Sequence, residues 1–442
     1  MGLCQNAGKC GGCYYQGIPY EEQLNRKERE VRELLDPVIR EPYVFEPIIP
    51  SPLSTGYRNK MEFSFGDCEK DGPLTLGLHQ KKSFYNILNT DDCQLPHQDV
   101  DRILHETRMY FTELGVHYFH KRTHTGYLRH LLVRRASKTG EILVDLVTST
   151  DTAEFETGEF QSRMNEIVSD ENSAEKAADP ETMVLNGWKD RMLRLESSGA
   201  LEGKFAGILH TRNESLSDAV IDNGTDVLYG ESFFYEELLG LRFRITPFSF
   251  FQTNSLGAER LYTKVREYAG YDHLKRDQES GSTAHKPVIY DLYSGTGTIT
   301  QLMSSVASQA IGVEIVKEAV DAARDNARLN GISNCHFIAG DVMKVIQEGG
   351  ELLREDGTRE NAPRPDLIIL DPPRDGVQPK PLRKIIEYGV DTLIYVACKP
   401  KSLARDLVPL QTAGYHVEKV CPVDMFPQTN NIEVVCLMRQ HT

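Results

Sequence analysis

Cys398 has a thiol side chain that can act as a covalent nucleophile. It lies in "LIYVACKPKSLARD", directly after an apolar run, and Pro400 begins the helical stretch that follows. Because the start of a helix stabilises a thiolate, this cysteine is a candidate nucleophile. The alternative is a buried packing residue, which is the commonest role of a free cysteine. We assign Cys335, Cys421 and Cys436 to packing, since each lies in an apolar run.

Glu433 is the second residue whose position suggests a chemical role. It stands between Ile432 and Val434 in "DMFPQTNNIEVVCLMRQ". A carboxylate in an apolar run is costly when it is buried without a partner. Glu433 is therefore either an exposed strand residue or a functional base with a raised pKa.

A ligand-binding edge is indicated by the ends of four successive apolar runs. "VIYDLYSGTGTIT" runs into a turn where Gly295 and Gly297 allow close approach of a ligand. The next runs end at Glu314, Asp341 and Asp371. Carboxyl ends of parallel strands form the ligand edge of such sheets, and an acid after the second strand suits ribose hydroxyls. The turn lacks the lysine of a P-loop, and one acid per strand end favours S-adenosylmethionine over a dinucleotide. A tight turn without a ligand is the alternative for the glycines alone.

These residues need a sheet to position them, and the chain predicts one. Residues 287–442 alternate short apolar runs with helical stretches, which is typical of a doubly wound α/β sheet. Residues 56–150 and 202–254 contain strand-like runs. We therefore predict an α/β protein with two domains. We expect residues 246–442 to form a Rossmann-like domain that binds S-adenosylmethionine, and residues 1–245 to form a strand-rich α+β domain.

Composition limits the classes of protein that fit. The chain has 442 residues with 50 Lys and Arg against 65 Asp and Glu, a formal charge of −15. This charge excludes a uniformly basic nucleic-acid binder but allows a local basic patch. No apolar run approaches the length of a membrane span, and residues 2–30 lack the apolar core of a signal peptide. We expect a cytoplasmic protein without membrane contact.

Three of the nine cysteines fall in the first thirteen residues, in "MGLCQNAGKCGGC". Cytosolic thiols stay reduced, so Cys4, Cys10 and Cys13 indicate a metal site rather than disulfides. Their spacing matches no usual zinc pattern, and the glycines between them allow the backbone to wrap a bulky cluster. A closed [4Fe–4S] cluster needs four thiolates, and the candidates for the fourth are Cys93 in "DDCQLP" and Cys68. A zinc knuckle is the alternative.

Further motifs extend over nearly the whole chain, and all of them are found in one family. They are "CGGCYYQ", "YRNKMEFSFG", "DDCQLP", "LRHLLVRR", "FSFFQTN", "DLYSGTGT", "DPPRDG", "VACKP" with "ARD", and "DMFPQT" with Glu433. In this combination the chain resembles the RNA uracil-C5-methyltransferases, which make 5-methyluridine in bacterial 23S ribosomal RNA and in the T-loop of tRNA.

The resemblance implies that residues 246–442 form an S-adenosylmethionine-dependent methyltransferase domain and that residues 1–245 form an RNA-binding domain that carries an iron–sulfur site. A non-catalytic iron–sulfur RNA-binding protein is the alternative outside the enzymes. The resemblance also implies roles for particular residues. The nucleophile of the family falls on Cys398 and its base on Glu433. A thiolate that adds to uracil C6 makes C5 nucleophilic towards the methyl sulfonium, and a base must then take the C5 proton. The S-adenosylmethionine contacts fall on Gln252, Tyr293, Thr298, Glu314, Asp341 and Asp371.

The resemblance also bears on the metal site and the substrate. Iron–sulfur members carry "DCQL"-type sequences, which favours Cys93 as the fourth ligand of a [4Fe–4S] cluster with Cys4, Cys10 and Cys13. Such members resemble the branch that modifies 23S ribosomal RNA more than the tRNA branch, so ribosomal RNA is the favoured substrate and tRNA the alternative. Because the cysteines are so close to the first residue, we expect the chain to lack the RNA-binding β-barrel of many members. We expect a monomer that needs no protein partner.

A run of cations marks the expected RNA-contact region. Residues 120–138, "HKRTHTGYLRHLLVRRASK", contain no acid. With Tyr127 they suit an RNA backbone with unstacked bases, and an ordinary solvated strand face is the alternative. The cations and neighbouring residues of this prediction are Lys121, Arg122, Arg129, Arg134, Arg135, Lys138, Tyr57, Arg58, Lys60, Lys81 and Lys82.

Two departures from the family pattern lie beside the expected chemistry. Lys399 stands where the family has Asn, and Gln428, Asn430 and Asn431 occupy a loop that usually contains histidines. We expect these residues to influence rate and substrate orientation rather than reaction type.

Overall fold

The computed structural model describes residues 3–167, 179–270, 286–353 and 358–440. The helices are α1 (Tyr20–Leu35), α2 (Gln98–Leu114), α3 (Gly158–Ile167), α4 (Pro180–Ser197), α5 (Ser255–Tyr268), α6 (Thr298–Met303), α7 (Lys317–Leu329), α8 (Val342–Glu348), α9 (Pro379–Tyr388) and α10 (Pro400–Thr412), with a short 3₁₀ helix at Ala153–Glu156. None of the helices in these ranges has the length and apolar character needed to cross a membrane.

The strands belong to two large sheets and two hairpins. They are β1 (Val44–Phe45), β2 (Lys60–Gly66), β3 (Thr75–His79), β4 (Ile87–Asn89), β5 (Leu128–Arg135), β6 (Glu141–Thr148), β7 (Lys204–Arg212), β8 (Thr225–Gly230), β9 (Phe234–Leu238), β10 (Leu241–Ile245), β11 (Val288–Leu292), β12 (Gln309–Glu314), β13 (Cys335–Ala339), β14 (Glu351–Leu353), β15 (Arg359–Asn361), β16 (Leu367–Leu370), β17 (Thr392–Ala397), β18 (Tyr415–Val423) and β19 (Glu433–Gln440).

One compact unit comprises residues 1–17, 55–237 and 244–248. Its seven-stranded sheet has the order β4-β3-β2-β5-β6-β7-β8 and is antiparallel except between β6 and β7. Its core contains Trp188, which is fully buried and donates its indole N–H to Thr107 Oγ1 at 3.1 Å. This is the strand-rich α+β unit that the sequence predicts.

The second unit comprises residues 18–54, 238–243 and 249–442. Its eight-stranded sheet has the order β1-β18-β19-β17-β16-β11-β12-β13. Strands β17, β16, β11, β12 and β13 run parallel, and β19 is antiparallel to both of its neighbours. The central strands read as continuous apolar segments because helices cover both faces of such a sheet. This is the doubly wound α/β arrangement predicted for the carboxyl-terminal half.

The division of the chain differs from the single predicted boundary between residues 245 and 246. Residues 18–54 belong to the second unit, where β1 pairs in parallel with β18 and Val31 and Leu35 of α1 enter the core. The sequence places these residues before the strand-rich region, but the pairing partners of Val44 and Phe45 are Lys419 and Val420, which lie 375 positions later.

Candidate functional site

Cys398 and Glu433 meet at one end of the β17–β19 pair. Ala397 is the register partner of Val434, so Cys398 directly follows one partner and Glu433 directly precedes the other. Opposing residues of an antiparallel pair have side chains roughly 5 Å apart. The two residues predicted to do covalent chemistry are therefore neighbours, although 35 positions separate them in the sequence.

Burial controls the ionisation of this pair. Glu433 is 3% exposed, and burial followed by the Asp371 carboxylate raises its pKa to about 8, while Arg374 acts in the opposite direction. The pKa of the half-buried Cys398 is raised to about 11, mainly by burial and then by the carboxylates of Glu433 and Asp371. Arg374 lowers it in part. The sequence predicted a helix start that stabilises the thiolate. The helix α10 does begin at Pro400, but the pKa of Cys398 is raised rather than lowered, because of burial and the two carboxylates.

Arg374 is a site residue without a role in the sequence prediction. It follows Asp371-Pro372-Pro373 and donates from Nη2 to Asn431 Oδ1 at 3.1 Å. It is the cation that lowers the pKa of both Cys398 and Glu433. Its position three residues after Asp371 is the sequence feature that could have indicated a role in the site.

The glycine-rich turn after β11 has an unusual backbone. Tyr293, Gly295 and Gly297 have φ angles of 68°, 53° and 72°. A Cβ atom at Gly297 would lie 2.5 Å from Phe337 Cε1, so glycine is required there on steric grounds as well. Gly295 N donates to Glu314 Oε2 at 3.0 Å, which ties the turn to the end of β12.

The predicted cofactor residues lie at the carboxyl ends of the parallel strands. Glu314 Oε1 accepts from the backbone N–H groups of Ile315 and Val316 at 2.8 and 2.9 Å, which orients its carboxylate. Asp341 caps α8, because its Oδ1 accepts a hydrogen bond from Met343 N at 2.7 Å. This contact does not use Oδ2. Tyr293 follows β11, and Thr298 begins α6. Glu314 ends β12, Asp341 follows β13, and Asp371 follows β16.

The remaining predicted cofactor residue, Gln252, is partly exposed, and the carboxyl of Asp291 is buried in the same unit. Gln252 precedes α5 and hydrogen-bonds the phenol of the buried Tyr262. Asp291 within β11 accepts from Thr300 Oγ1 at 2.6 Å, and burial raises its pKa to about 7. The Asp371 carboxyl also has its pKa raised to about 7, by burial and then by Asp291. Sequence reasoning assigned no role to Tyr262, Asp291 or Thr300.

Helix α1 holds the loop that leads into Glu433. Lys27 Nζ donates to Asp424 Oδ1 at 2.7 Å and to Phe426 O at 3.0 Å, and the side chains of Lys27 and Asp424 are fully buried. Gln428, with φ of 68°, donates its backbone N–H to Gln23 Oε1 at 2.8 Å. The loop that usually contains histidines is thus fixed here by a buried ion pair and an amide contact.

Four cysteines line one cavity in the strand-rich unit. Cys4, Cys10, Cys13 and Cys93 are all part of its lining. Backbone N–H groups of Asn6 and Gly12 donate to Cys4 Sγ at 3.4 Å and Cys10 Sγ at 3.3 Å.

The other candidate for the fourth cysteine lies elsewhere. Cys68 is exposed and is not part of the cavity lining. Burial raises the pKa of Cys13 to about 11 and that of Cys93 to about 12. Within the described ranges, no group of three or more His, Cys, Asp or Glu side chains is arranged to hold a single metal ion.

Comparisons with known proteins place the chain in a family. Residues 278–441 match the family model described as tRNA (Uracil-5-)-methyltransferase. An RNA methyltransferase of Clostridium tetani is 41% identical over 437 residues, which cover 99% of this chain and 83% of that protein. One of Bacteroides thetaiotaomicron is 33% identical over 450 residues, covering 99% and 87%. The chain belongs to the RNA uracil-C5-methyltransferase family. It is an S-adenosylmethionine-dependent RNA methyltransferase.

A solved structure shows the same fold. The Pyrococcus abyssi tRNA (uracil-54, C5)-methyltransferase, in complex with S-adenosyl-L-homocysteine, matches this methyltransferase with a TM-score of 0.66 and 22% identity. The match covers 98% of this chain and 86% of that one. The predicted α/β methyltransferase fold is thereby confirmed.

Most of the predicted RNA-contact cations of β5 are structural residues of this methyltransferase. Arg129 is buried and donates to the carbonyls of Asn213, Ser215 and Ser217. The first seven residues of β5, Leu128–Arg134, are all buried, because the side chains on both faces of this central strand are covered.

Three more residues of that stretch are used in the same way. Arg134 is buried and donates to Pro247 O at 2.9 Å, and Arg135 pairs with Asp99 at 2.7 Å. The buried Tyr127 donates to Glu181. The prediction that these side chains contact RNA is wrong for the central part of the stretch, while Arg122 and Lys138 near its ends are exposed.

Proposed function

We propose that this enzyme methylates C5 of a uridine in RNA, with Cys398 as the nucleophile and Glu433 as the base. The observation that carries the proposal is the meeting of a thiol and a buried carboxyl at one strand end. That end belongs to the same unit as the glycine turn and Glu314. A site with one soft nucleophile and one carboxylate has what addition to C6 and removal of the C5 proton require.

The cofactor fits the residues at the carboxyl edge of the sheet. Backbone N–H groups orient the Glu314 carboxylate, and no atom lies within 4 Å of a Cβ built at Gly295, so a ligand can approach the turn. We propose that S-adenosylmethionine is held by Gln252, Tyr293, Thr298, Glu314, Asp341 and Asp371. When bound, it supplies the methyl group that C5 takes.

The residues of this chain handle the protons and the covalent bond to the base. The thiolate form of Cys398 forms a bond from Sγ to C6, and the C5–C6 double bond opens so that C5 can take the methyl group. Glu433 then accepts the C5 proton, the double bond re-forms, and the Sγ–C6 bond breaks to return the thiolate. Because Glu433 must be ionised to accept a proton and its pKa is about 8, the rate should rise as pH rises through about 8.

The four-cysteine cavity supports a proposal for the metal site. We propose that Cys4, Cys10, Cys13 and Cys93 hold a [4Fe–4S] cluster. Each iron of such a cluster takes one thiolate, so its ligands stand farther apart than ligands that share one ion. The cavity lining and the two N–H···S contacts fit this arrangement.

We propose 23S ribosomal RNA as the substrate, because the four-cysteine cavity is the feature that the family resemblance links to the ribosomal branch. Transfer RNA is the second candidate. It is favoured by the description of the matching family model and by the substrate named for the Pyrococcus abyssi enzyme.

The test uses radiolabelled S-adenosylmethionine with unmodified ribosomal RNA and tRNA. Wild-type protein should label one of them at uridine C5. Cys398→Ala should abolish labelling, whereas the control Cys68→Ala, which changes an exposed cysteine, should not. Substantial methylation by Cys398→Ala would show that the covalent mechanism does not operate here.

A further inference from the structure

Two large aromatic side chains lie exposed on one turn of the strand-rich unit. Phe84 and Tyr85, between β3 and β4, are 66% and 49% exposed. Their rings pack edge to face with centroids 5.7 Å apart. Adjacent exposed aromatic rings on a surface turn are characteristic of binding surfaces rather than of packing.

Cations border both rings. Lys121 Nζ lies 5.1 Å from the centroid of the Phe84 ring, and the Arg122 guanidinium lies 4.7 Å from that of Tyr85. Lys81 and Lys82 lie on the same turn and are exposed.

One carboxylate offsets part of this charge. Asp218 forms an ion pair with Lys121 at 2.8 Å. Arg122, Lys81 and Lys82 remain as exposed cations beside the rings, so the surface favours a polyanion.

The cysteine loop fixes the shape of this turn. Cys10 forms an antiparallel bridge with Gln80, and Lys81 N donates to Lys9 O at 2.7 Å. Gln80 N also donates to Asn86 O at 2.9 Å, which closes the turn. A turn held on both sides loses little conformational entropy when a ligand binds.

We propose that Phe84 and Tyr85 form a stacking platform for unpaired bases of the substrate RNA, with Lys81, Lys82 and Arg122 contacting its phosphates. The inference rests on the proposed action on RNA. Every base has a flat face that can stack on an aromatic ring, and the cations match the backbone, so the occupant is a single-stranded RNA segment. The cysteine cavity then has a structural role, because its loop supports the platform.

The first test measures binding of a fluorescent single-stranded oligouridine by the full chain. Stacking of one base typically contributes enough for the double variant Phe84→Ala/Tyr85→Ala to weaken Kd by about tenfold or more. The double variant Phe84→Tyr/Tyr85→Phe retains both rings and should bind like wild type. The matched control is Tyr229→Ala, which removes an aromatic ring of 41% exposure from the opposite edge strand, β8.

The second test measures salt dependence. Each phosphate contact in single-stranded RNA contributes about 0.7 to the slope of log Kd against log salt. Lys81→Ala/Lys82→Ala should therefore reduce that slope by roughly 1.4. An unchanged slope would overturn the assignment of these lysines to the backbone.

The outcomes separate the platform from the proposed reaction. If wild-type protein methylates RNA but Phe84→Ala/Tyr85→Ala binds the oligouridine as tightly as wild type, the platform is refuted and the reaction stands. If wild-type protein binds the oligouridine through these rings but methylates no uridine, the proposed reaction fails and the platform stands. Loss of binding to a protein partner with unchanged RNA affinity would also refute the platform.

Discussion

Replacing Glu433 by glutamine should stabilise the protein, and the gain should depend strongly on pH. The buried carboxyl has a pKa of about 8 instead of the ordinary 4.5. The folded state therefore holds this proton more tightly than the unfolded chain does. Its contribution to stability is complete below about pH 4.5 and is lost progressively as pH rises towards 8. Glutamine has nearly the same shape and no charge to bury.

The size of the effect follows from the two pKa values. One pH unit corresponds to about 1.4 kcal/mol, so the interval from 4.5 to about 8 corresponds to roughly 5 kcal/mol as an upper limit. The difference in the free energy of unfolding between Glu433→Gln and wild type should grow towards this value between acidic and alkaline pH. Such a change would be a large fraction of the stability of a typical domain.

The assay is urea denaturation of both proteins at about pH 5 and about pH 9, followed by circular dichroism, because Trp188, the one tryptophan of the chain, lies in the other unit. The matched control is Glu418→Gln on β18, the strand that pairs with β19, where the side chain is 39% exposed. The stability difference of the control should change little with pH. If the difference for Glu433→Gln is also the same at both pH values, Glu433 is not a buried group with a raised pKa, and the argument for a poised base fails.

Three other predictions concern the reaction, the loop and the metal. Glu433→Gln should trap RNA as a covalent, methylated adduct visible on denaturing gels, and normal turnover would assign the base to another group. Lys27→Met should lower the free energy of unfolding by about 3–5 kcal/mol, because it leaves the buried Asp424 carboxylate unpaired. It should also lower kcat. A variant with wild-type stability in urea and a wild-type rate would contradict this prediction. Anaerobically purified protein should contain about four irons per chain. Cys93→Ala should lower that content and Cys68→Ala should not, while stoichiometric zinc without sulfide would exclude the cluster.

Local patterns in the sequence were sufficient for the parallel strands of the second unit and for their ligand edge, but not for β1, which comes from residues 18–54. Apolar runs that end in glycine or an acid specify buried parallel strands, and their carboxyl ends necessarily share one edge. Glu314, Asp341 and Asp371 could therefore be placed together without a structure. The family resemblance extended this placement to Cys398 and Glu433, whose roles remain predictions.

Only the tertiary structure decided which polar side chains are buried and what they contact. The sequence shows α1 as a charged helix with apolar Leu24, Val31 and Leu34, yet its buried face includes Gln23 and Lys27. Lys27 can be buried because its charge is paired with that of Asp424. That partner lies 397 positions away in the sequence, so the local sequence does not reveal it. The arginines of β5 likewise resemble a basic surface in the sequence, but their partners are carbonyls and a carboxylate from other parts of the chain. Local sequence determines strands, turns and their ends, whereas burial of a charge depends on partners from distant parts of the chain.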